Sequence, residues 1–134
     1  MPAAPSEPFQ YAVLRVVPDI ERGERINAGV VLFARTRDFL GARVALDRPR
    51  LLAIAPRADA DAVARHLDGL ARIAAGEADA GPIAALPAHR RFHWLVAPAS
   101  TIVQPSAVHT GLCDDPAAAL DRLFARLVPR PGPA

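Results

Sequence analysis

The fold of this 134-residue chain is decided by the stretch Glu24-Arg25-Ile26-Asn27-Ala28-Gly29-Val30-Val31-Leu32-Phe33, which is its most apolar run and holds its only Asn. The segment from Val30 to Phe33 is short, β-branched and aromatic, which predicts a buried strand. Asn27 and Gly29 interrupt this pattern, and both residue types tolerate positive φ. The strand is therefore predicted to begin with a bulge or kink, where either a site or a simple bend of the sheet can lie.

The composition predicts one domain with a core of small aliphatic residues. Half of the residues are hydrophobic (51%), but only 5% are aromatic. No run approaches the roughly 18 apolar residues that span a bilayer, and the N-terminus lacks the basic and apolar regions of a signal peptide. The single cysteine, Cys113, has no intrachain disulfide partner. These features favour a cytoplasmic protein without membrane contact.

The charged residues exclude several classes of function. All 16 basic residues are Arg, and 14 acidic residues leave a net charge of only +2. Nucleic-acid binding therefore gains no support from charge. Without lysine the chain has no Schiff base, no Walker-type phosphate lysine and no kinase strand lysine.

Five strands and two main helices are predicted. The strands cover residues 9–17, the opening stretch, and residues 39–46, 91–96 and 101–104, of which the first three form an antiparallel meander. The helices are a long one over residues 58–75 and a last one that begins at Pro116 after the N-cap Asp115, with a short helical turn over 48–55. The predicted class is α+β, with a mostly antiparallel sheet and both main helices on one face.

The domain is expected to span residues 9–129, between a disordered lead (1–8) and a disordered tail (130–134). Two packing details follow from the pattern. Gly29 is predicted to need a special conformation or a close contact, since it enters a buried strand. Trp94 alternates with Phe92 and Val96 on one face of a strand, and is predicted to pack against the last helix.

No catalytic, cofactor or metal motif is present. His89 and His93 are four apart, but His93 lies in a strand pattern, which disfavours a zinc pair. Neither a nucleophile elbow nor a Gly-rich phosphate loop occurs. The sequence therefore predicts no catalytic residue, no metal and no cofactor.

What remains is a set of polar residues, several of them at predicted strand ends: Arg15, Glu24, Arg25, Asn27, Arg91, His93, Gln104, Ser106 and His109. Arg and His beside an Asn can bind a phosphate or a carboxylate. Alternatively, Arg15 and Arg91 pair with Glu24 or Asp19 and tie strand ends together, since such ion pairs imitate sites.

The chain resembles an uncharacterised bacterial family, domain of unknown function 3037. The resemblance is carried by Tyr11-Ala-Val-Leu-Arg15-Val-Val-Pro18 with Glu24-Arg-Ile-Asn27-Ala-Gly29-Val-Val-Leu32, and by Arg91-Phe92-His-Trp94-Leu95, Ser100-Thr101-Ile-Val-Gln104-Pro-Ser106 and His109-Thr-Gly111-Leu. It implies no activity, catalytic residue or cofactor. It does imply a protein partner, a HipA-type kinase-like protein.

Two hypotheses of function follow. The first is a non-enzymatic accessory module that binds a protein or its own copy, through a free sheet edge or the polar rim around Asn27. The alternative is a small anion- or phosphate-handling enzyme or sensor, with a site near Asn27, Arg91 and His109. Nucleic-acid and membrane partners are not expected.

Overall fold

The structure, a computed structural model, describes residues 7–129. In this part of the chain the strands are β1 (Glu7–Val16), β2 (Ile26–Ala34), β3 (Phe39–Val44), β4 (Val103–Pro105) and β5 (His109–Cys113). The helices are α1 (Arg48–Ile54), α2 (Ala60–Ala75), α3 (Ala88–Val96) and α4 (Pro116–Leu127). The expected disordered tail lies outside the described residues, as does the expected lead, except that Glu7 and Pro8 begin β1.

All five strands form one antiparallel sheet. β3, β2 and β1 lie side by side, and β1 also pairs with β4 near its C-terminal end and with β5 near its N-terminal end. This arrangement confirms the predicted α+β class and the meander of the first three strands. β4 replaces the strand predicted over residues 101–104, whereas β5 was not predicted.

The bulge predicted at the entrance to β2 is present. β1 and β2 pair Leu14 with Gly29 and Arg15 with Asn27, so that Ala28 has no opposite residue. An extra residue in one strand bends it and increases its twist. The bulge thus brings Asn27 of β2 opposite Arg15 of β1.

Gly29 is required for space rather than for backbone conformation. Its φ is not positive, but a Cβ built on it would lie 2.9 Å from the carbonyl oxygen of Arg43 and 2.9 Å from Cγ1 of Val44. β3 therefore approaches β2 more closely here than a side chain allows, which confirms the predicted close contact.

Helices cover both faces of the sheet, because β2 is apolar on both sides and is buried at every residue except Asn27. Val31 and Phe33 pack with residues of α1, α2 and α3 on one side, the α1–α3 face. Val30 and Leu32 pack with α4 on the other side, the α4 face. The prediction that the two main helices share one face is therefore wrong. A strand that is buried on both sides needs a cover on each.

Residues 88–96 form α3, so the strand predicted over residues 91–96 is wrong. Phe92 and Leu95, three apart, lie on one helical face and are buried in the core of the α1–α3 face. The ring of Phe92 stacks on that of Phe33, with centroids 5.2 Å apart. Trp94 points away and is 45% exposed. Its predicted burial against the last helix is therefore wrong as well.

The helix ends carry capping residues, among them the predicted Asp115. The side chain of Asp59 accepts a hydrogen bond from the backbone of Ala62 at the start of α2, and Gly76 ends that helix with φ of 72°. Asp115 caps α4 in the same way. Between residues 7 and 129, no helix has the length and apolar character needed to cross a membrane.

Candidate functional site

A row of three polar residues crosses the sheet at the end where β2 begins. Arg15 of β1 lies opposite Asn27 of β2 on one side and opposite Gln104 of β4 on the other. The residues before and after Arg15 are buried on the α1–α3 face, so strand alternation directs Arg15 to the α4 face. Asn27 is on the same face, since its Nδ2 donates to the carbonyl oxygen of Leu127 in α4 at 2.9 Å. Three of the predicted site residues therefore lie together.

An opening of about 430 Å³ adjoins this row, between α1 and the end of α4. We call it the arginine pocket, because Arg25, Arg50 and Arg126 line it together with Asn27; the remaining lining residues are Ile26, Leu127 and Pro129. Within residues 7–129, Arg25 and Arg126 form no ion pair. Arg50 lies 3.9 Å from a carboxylate oxygen of Asp47. The pocket therefore holds an excess of positive charge.

That carboxylate compensates the pocket only in part. Asp47 is buried, and its side chain accepts a hydrogen bond from the backbone N–H of Arg50 at 3.1 Å, which caps α1. Arg15 adds a further guanidinium next to the pocket. Burial and the nearby charge of Arg25 lower the pKa of Arg15. Because a guanidinium stays protonated at physiological pH, these groups repel one another under those conditions.

Arg91, another predicted site residue, lies elsewhere. Its Nη1 donates to the carbonyl oxygen of Leu86 at 2.7 Å, and its Nη2 donates to that of Ala74 at 3.4 Å. A cation at the carbonyl end of a helix stabilises that end, so Arg91 holds α3 against the end of α2. Both helices lie on the α1–α3 face, whereas Asn27 contacts α4. His93 is exposed on α3.

His109 and Ser106 are also separate from the arginine pocket. The ring of His109 lies against Tyr11, with centroids 5.3 Å apart, and Tyr11 is four residues from Arg15 along β1, about 13 Å away. Ser106 Oγ accepts a hydrogen bond from the backbone N–H of Val13 at 2.8 Å, and the Ser106 N–H donates to the Val13 carbonyl. Ser106 thus fills the gap in pairing between β4 and β5.

The structure changes both interpretations of the polar set. Glu24 pairs with Arg22 at 2.6 Å, and no carboxylate pairs with Arg15 or Arg91 in the part of the chain that the structure describes. The expected ion pairs are therefore wrong. Arg91 and His109 lie away from Asn27, and the opening beside Asn27 is lined instead by arginines from α1, α4 and the segment before β2.

The positions of the histidines bear on the question of a metal site. His93 was predicted in a strand, which is wrong, because His89 and His93 are one helical turn apart on α3. Both are exposed. Within residues 7–129, no group of three or more His, Cys, Asp or Glu side chains could hold a metal ion. Burial raises the pKa of the Cys113 thiol, which favours its protonated form.

Arg50 and Arg126 were missed by sequence reasoning. Each is an exposed arginine of a short amphipathic helix, like several others in a chain with 16 of them. Only the three-dimensional structure shows that the start of α1 and the last turn of α4 meet at the bulge of β2. Each of them is followed by a Leu in the chain, and their sequence neighbours give no signal for a shared ligand.

The sequence matches the family described as "Protein of unknown function (DUF3037)" over residues 11–128. This range includes the charged residues of the arginine pocket and all of the row on the sheet. Neither the search of curated proteins nor that of solved structures finds a match.

Proposed function

The chain belongs to the DUF3037 family of proteins of unknown function, and we propose that its domain is a non-enzymatic interaction module that binds an anionic group of a partner in the arginine pocket. One observation carries the proposal. Arg25, Arg50 and Arg126 come from three separate segments and line one opening, and two of them have no ion-pair partner within residues 7–129. Like charges brought together in this way repel one another unless a counterion is present.

The chemistry of the lining favours a carboxylate or a phosphate. Guanidinium groups donate two parallel hydrogen bonds to either group, which gives both affinity and orientation. The Oδ1 atom of Asn27 is an acceptor, and its Nδ2 donates one of its two hydrogens to the carbonyl oxygen of Leu127. Recognition of the anion therefore rests chiefly on the three guanidiniums, while Asn27 holds the wall of the pocket in place.

The same lining supports binding rather than catalysis. Its described members are arginines, one amide, aliphatic residues and proline. A guanidinium remains charged and does not act as a general base. No nucleophile or general base is among these lining residues, so we expect the bound group to be held without being changed.

Titration with inorganic phosphate at low ionic strength tests this proposal, with binding followed by NMR of the backbone amides. We expect shifts at residues 25–27, 50 and 126, and at least about tenfold weaker binding in Arg126→Gln, which loses one charge-assisted contact. The matched control is Arg90→Gln, which changes an exposed arginine of α3 outside the pocket. Shifts elsewhere, or equal weakening in both variants, would show that the pocket is not the site.

A second means of interaction is favoured by the outer edge of β5. Val108 and Leu112 are 39% and 59% exposed there, and residues 106–113 contain neither a charged residue nor a proline. Exposed edges usually carry such residues as protection against pairing. We propose that this edge pairs with a protein strand, either from a second copy of the chain or from the HipA-type kinase-like partner that the family resemblance implied.

Sedimentation of the purified protein and of Leu112→Lys tests the edge. A lysine on an edge strand opposes pairing. We expect the native protein to form a concentration-dependent dimer, or to capture the kinase-like protein when the two are mixed, and the variant to lose that association. A native protein that remains monomeric and does not bind that protein would leave the edge without a role.

A further inference from the structure

A second opening, of about 470 Å³, adjoins the arginine pocket. We call it the apolar pocket, because most of its lining is apolar: Pro18, Ile54, Ala55, Pro56, Ala58 and Ile102. Its rim carries charges of both signs, from Asp19, Arg22, Glu24 and Arg57. A largely apolar concavity with a few polar groups at its margin is the usual form of a binding site.

The two pockets share the same structural elements. Ile54 of the apolar pocket follows Arg50 of the arginine pocket by one turn of α1. Side chains four apart on a helix have their Cβ atoms about 5–6 Å apart. Glu24 and Arg25, adjacent in the chain, line one pocket each. A single small ligand segment can therefore reach both.

We propose that the partner bound by this domain is an extended protein segment in which an acidic or phosphorylated residue and an apolar residue are two positions apart. Residues two apart in an extended chain are about 6.6 Å apart, which is close to the roughly 5–6 Å between side chains one turn apart on α1. The anionic side chain enters the arginine pocket and the apolar side chain enters the apolar pocket. This inference rests on the proposed function, since it names the chemistry of the anion's carrier.

The charges around the apolar pocket define which segments fit. Asp19 and Glu24 on its rim are balanced by Arg22 and Arg57, and Glu24 pairs with Arg22. The rim therefore adds no net attraction for a second acidic group, and the apolar lining favours an apolar residue at that end. The backbone of a peptide segment also offers donors and acceptors to this rim of mixed sign.

The test uses synthetic heptapeptides with blocked termini. There are three parent peptides. The first is Ser-Ser-Asp-Ala-Leu-Ser-Ser, the second has phosphoserine in place of Asp, and in the third Asp and Leu exchange places. Two matched controls replace Asp by Asn or Leu by Ser. We expect at least one parent peptide to bind, and each control to bind at least about tenfold more weakly, because one pocket is then left without its occupant.

Variants of the protein separate the two pockets. Arg126→Gln is expected to weaken the parent peptide about tenfold, and Ala58→Glu to weaken it similarly by placing a carboxylate in the apolar pocket. Arg90→Gln is the unchanged control. The circular dichroism and melting temperature of each variant are measured first, and the peptide controls with unmodified protein give the same answer if Ala58→Glu fails to fold.

The outcomes distinguish this inference from the proposed function. If inorganic phosphate binds but the Leu-to-Ser peptide binds as well as its parent, the apolar pocket takes no part and the inference is wrong while the proposed function stands. If no parent peptide binds better than phosphate alone, the inference is also wrong. If neither phosphate nor any peptide binds, both are wrong.

Discussion

The α1–α3 face and the α4 face are two sides of the same strands, but they differ in how far they are covered. On the α1–α3 face, three helices cover the sheet, with α2 chiefly on β3 and α3 chiefly on β2, and bury aromatic and aliphatic side chains continuously. On the α4 face, a single helix packs mainly on β2 and β3. The row formed by Asn27, Arg15 and Gln104 is consequently only half-buried.

The difference shows where a fold of this size can place a charged site. A charged group costs much free energy where it loses water without a partner, and the guanidinium of Arg91 on the α1–α3 face is accordingly held by the carbonyl oxygens of Leu86 and Ala74. The uncovered part of the α4 face keeps Arg15 in contact with water and leaves the arginine pocket open. A binding site is thus expected at the edge of α4, which we call the smaller cover. Stability is expected to come chiefly from the packing beneath α1, α2 and α3, which we call the larger cover.

The largest expected effect tests the larger cover. Phe92→Ala removes a ring that is only 3% exposed and stacks on Phe33, which should lower the free energy of unfolding by about 3–5 kcal/mol. Trp94→Ala on the same helix is the control, because 45% of Trp94 is exposed. Urea unfolding of both variants measures the difference. Equal losses would mean that α3 does not pack on the sheet through Phe92.

That experiment also concerns the part of the fold that sequence reasoning misjudged. The run Arg91-Phe92-His93-Trp94-Leu95-Val96 fits both an alternating strand and a helix with Phe92 and Leu95 on one face. Short apolar runs leave these two periods ambiguous. The helix wins because it places Phe92 on Phe33, a contact between residues 59 positions apart that local sequence does not encode.

The next effect concerns the contact between strands. Gly29→Ala places a Cβ against the backbone oxygen of Arg43, which cannot move without separating β2 from β3. We expect a loss of about 1–3 kcal/mol, as for other overpacked sites. Gly69→Ala in α2 meets no atom within 4 Å and should instead stabilise by about 0.5–1 kcal/mol, since Ala favours a helix. Opposite signs in urea unfolding are therefore expected, and a neutral Gly29→Ala would contradict the close approach.

A smaller effect tests the smaller cover. Asn27→Ala removes the hydrogen bond to Leu127 that joins the bulge of β2 to the end of α4. We expect a loss of about 1 kcal/mol, together with faster amide hydrogen exchange in the last turn of α4. Gln104→Ala, whose side-chain hydrogen bond is local to Thr101, is the control and should leave that exchange unchanged. If both variants exchange alike, Asn27 does not hold α4.

Asn27 also marks how much of the site could be predicted. Its position before a buried strand singled it out, and Arg15 and Gln104 were included as polar residues of predicted strands. The pairing of these three residues in one row depends on register, and the register depends on the bulge. The meeting of Arg50 of α1 with Arg126 of α4 depends on α4 lying on the face opposite the other helices. The predicted fold instead placed α4 on the same face as α2.

The smallest expected effect concerns a surface ion pair that joins α1 to α2 within the larger cover. Arg48 Nη1 donates to Asp61 Oδ1 at 2.7 Å, and both side chains are exposed. The hydrogen bond and the charge of Arg48 lower the pKa of Asp61 from its ordinary value of 3.8. The folded protein therefore binds this proton less readily than the unfolded chain does. The pair contributes stability above the unfolded pKa, and that contribution is lost as the pH falls through the lowered folded pKa.

We expect Arg48→Gln to melt slightly below the native protein at pH 7, and the difference to disappear at a pH below the folded pKa of Asp61. Added salt should also reduce the difference, because exposed charges are screened. A difference in melting temperature that persists in acid and in high salt would show that Arg48 acts through packing of its aliphatic chain, and that the two helices are held together by apolar contacts alone.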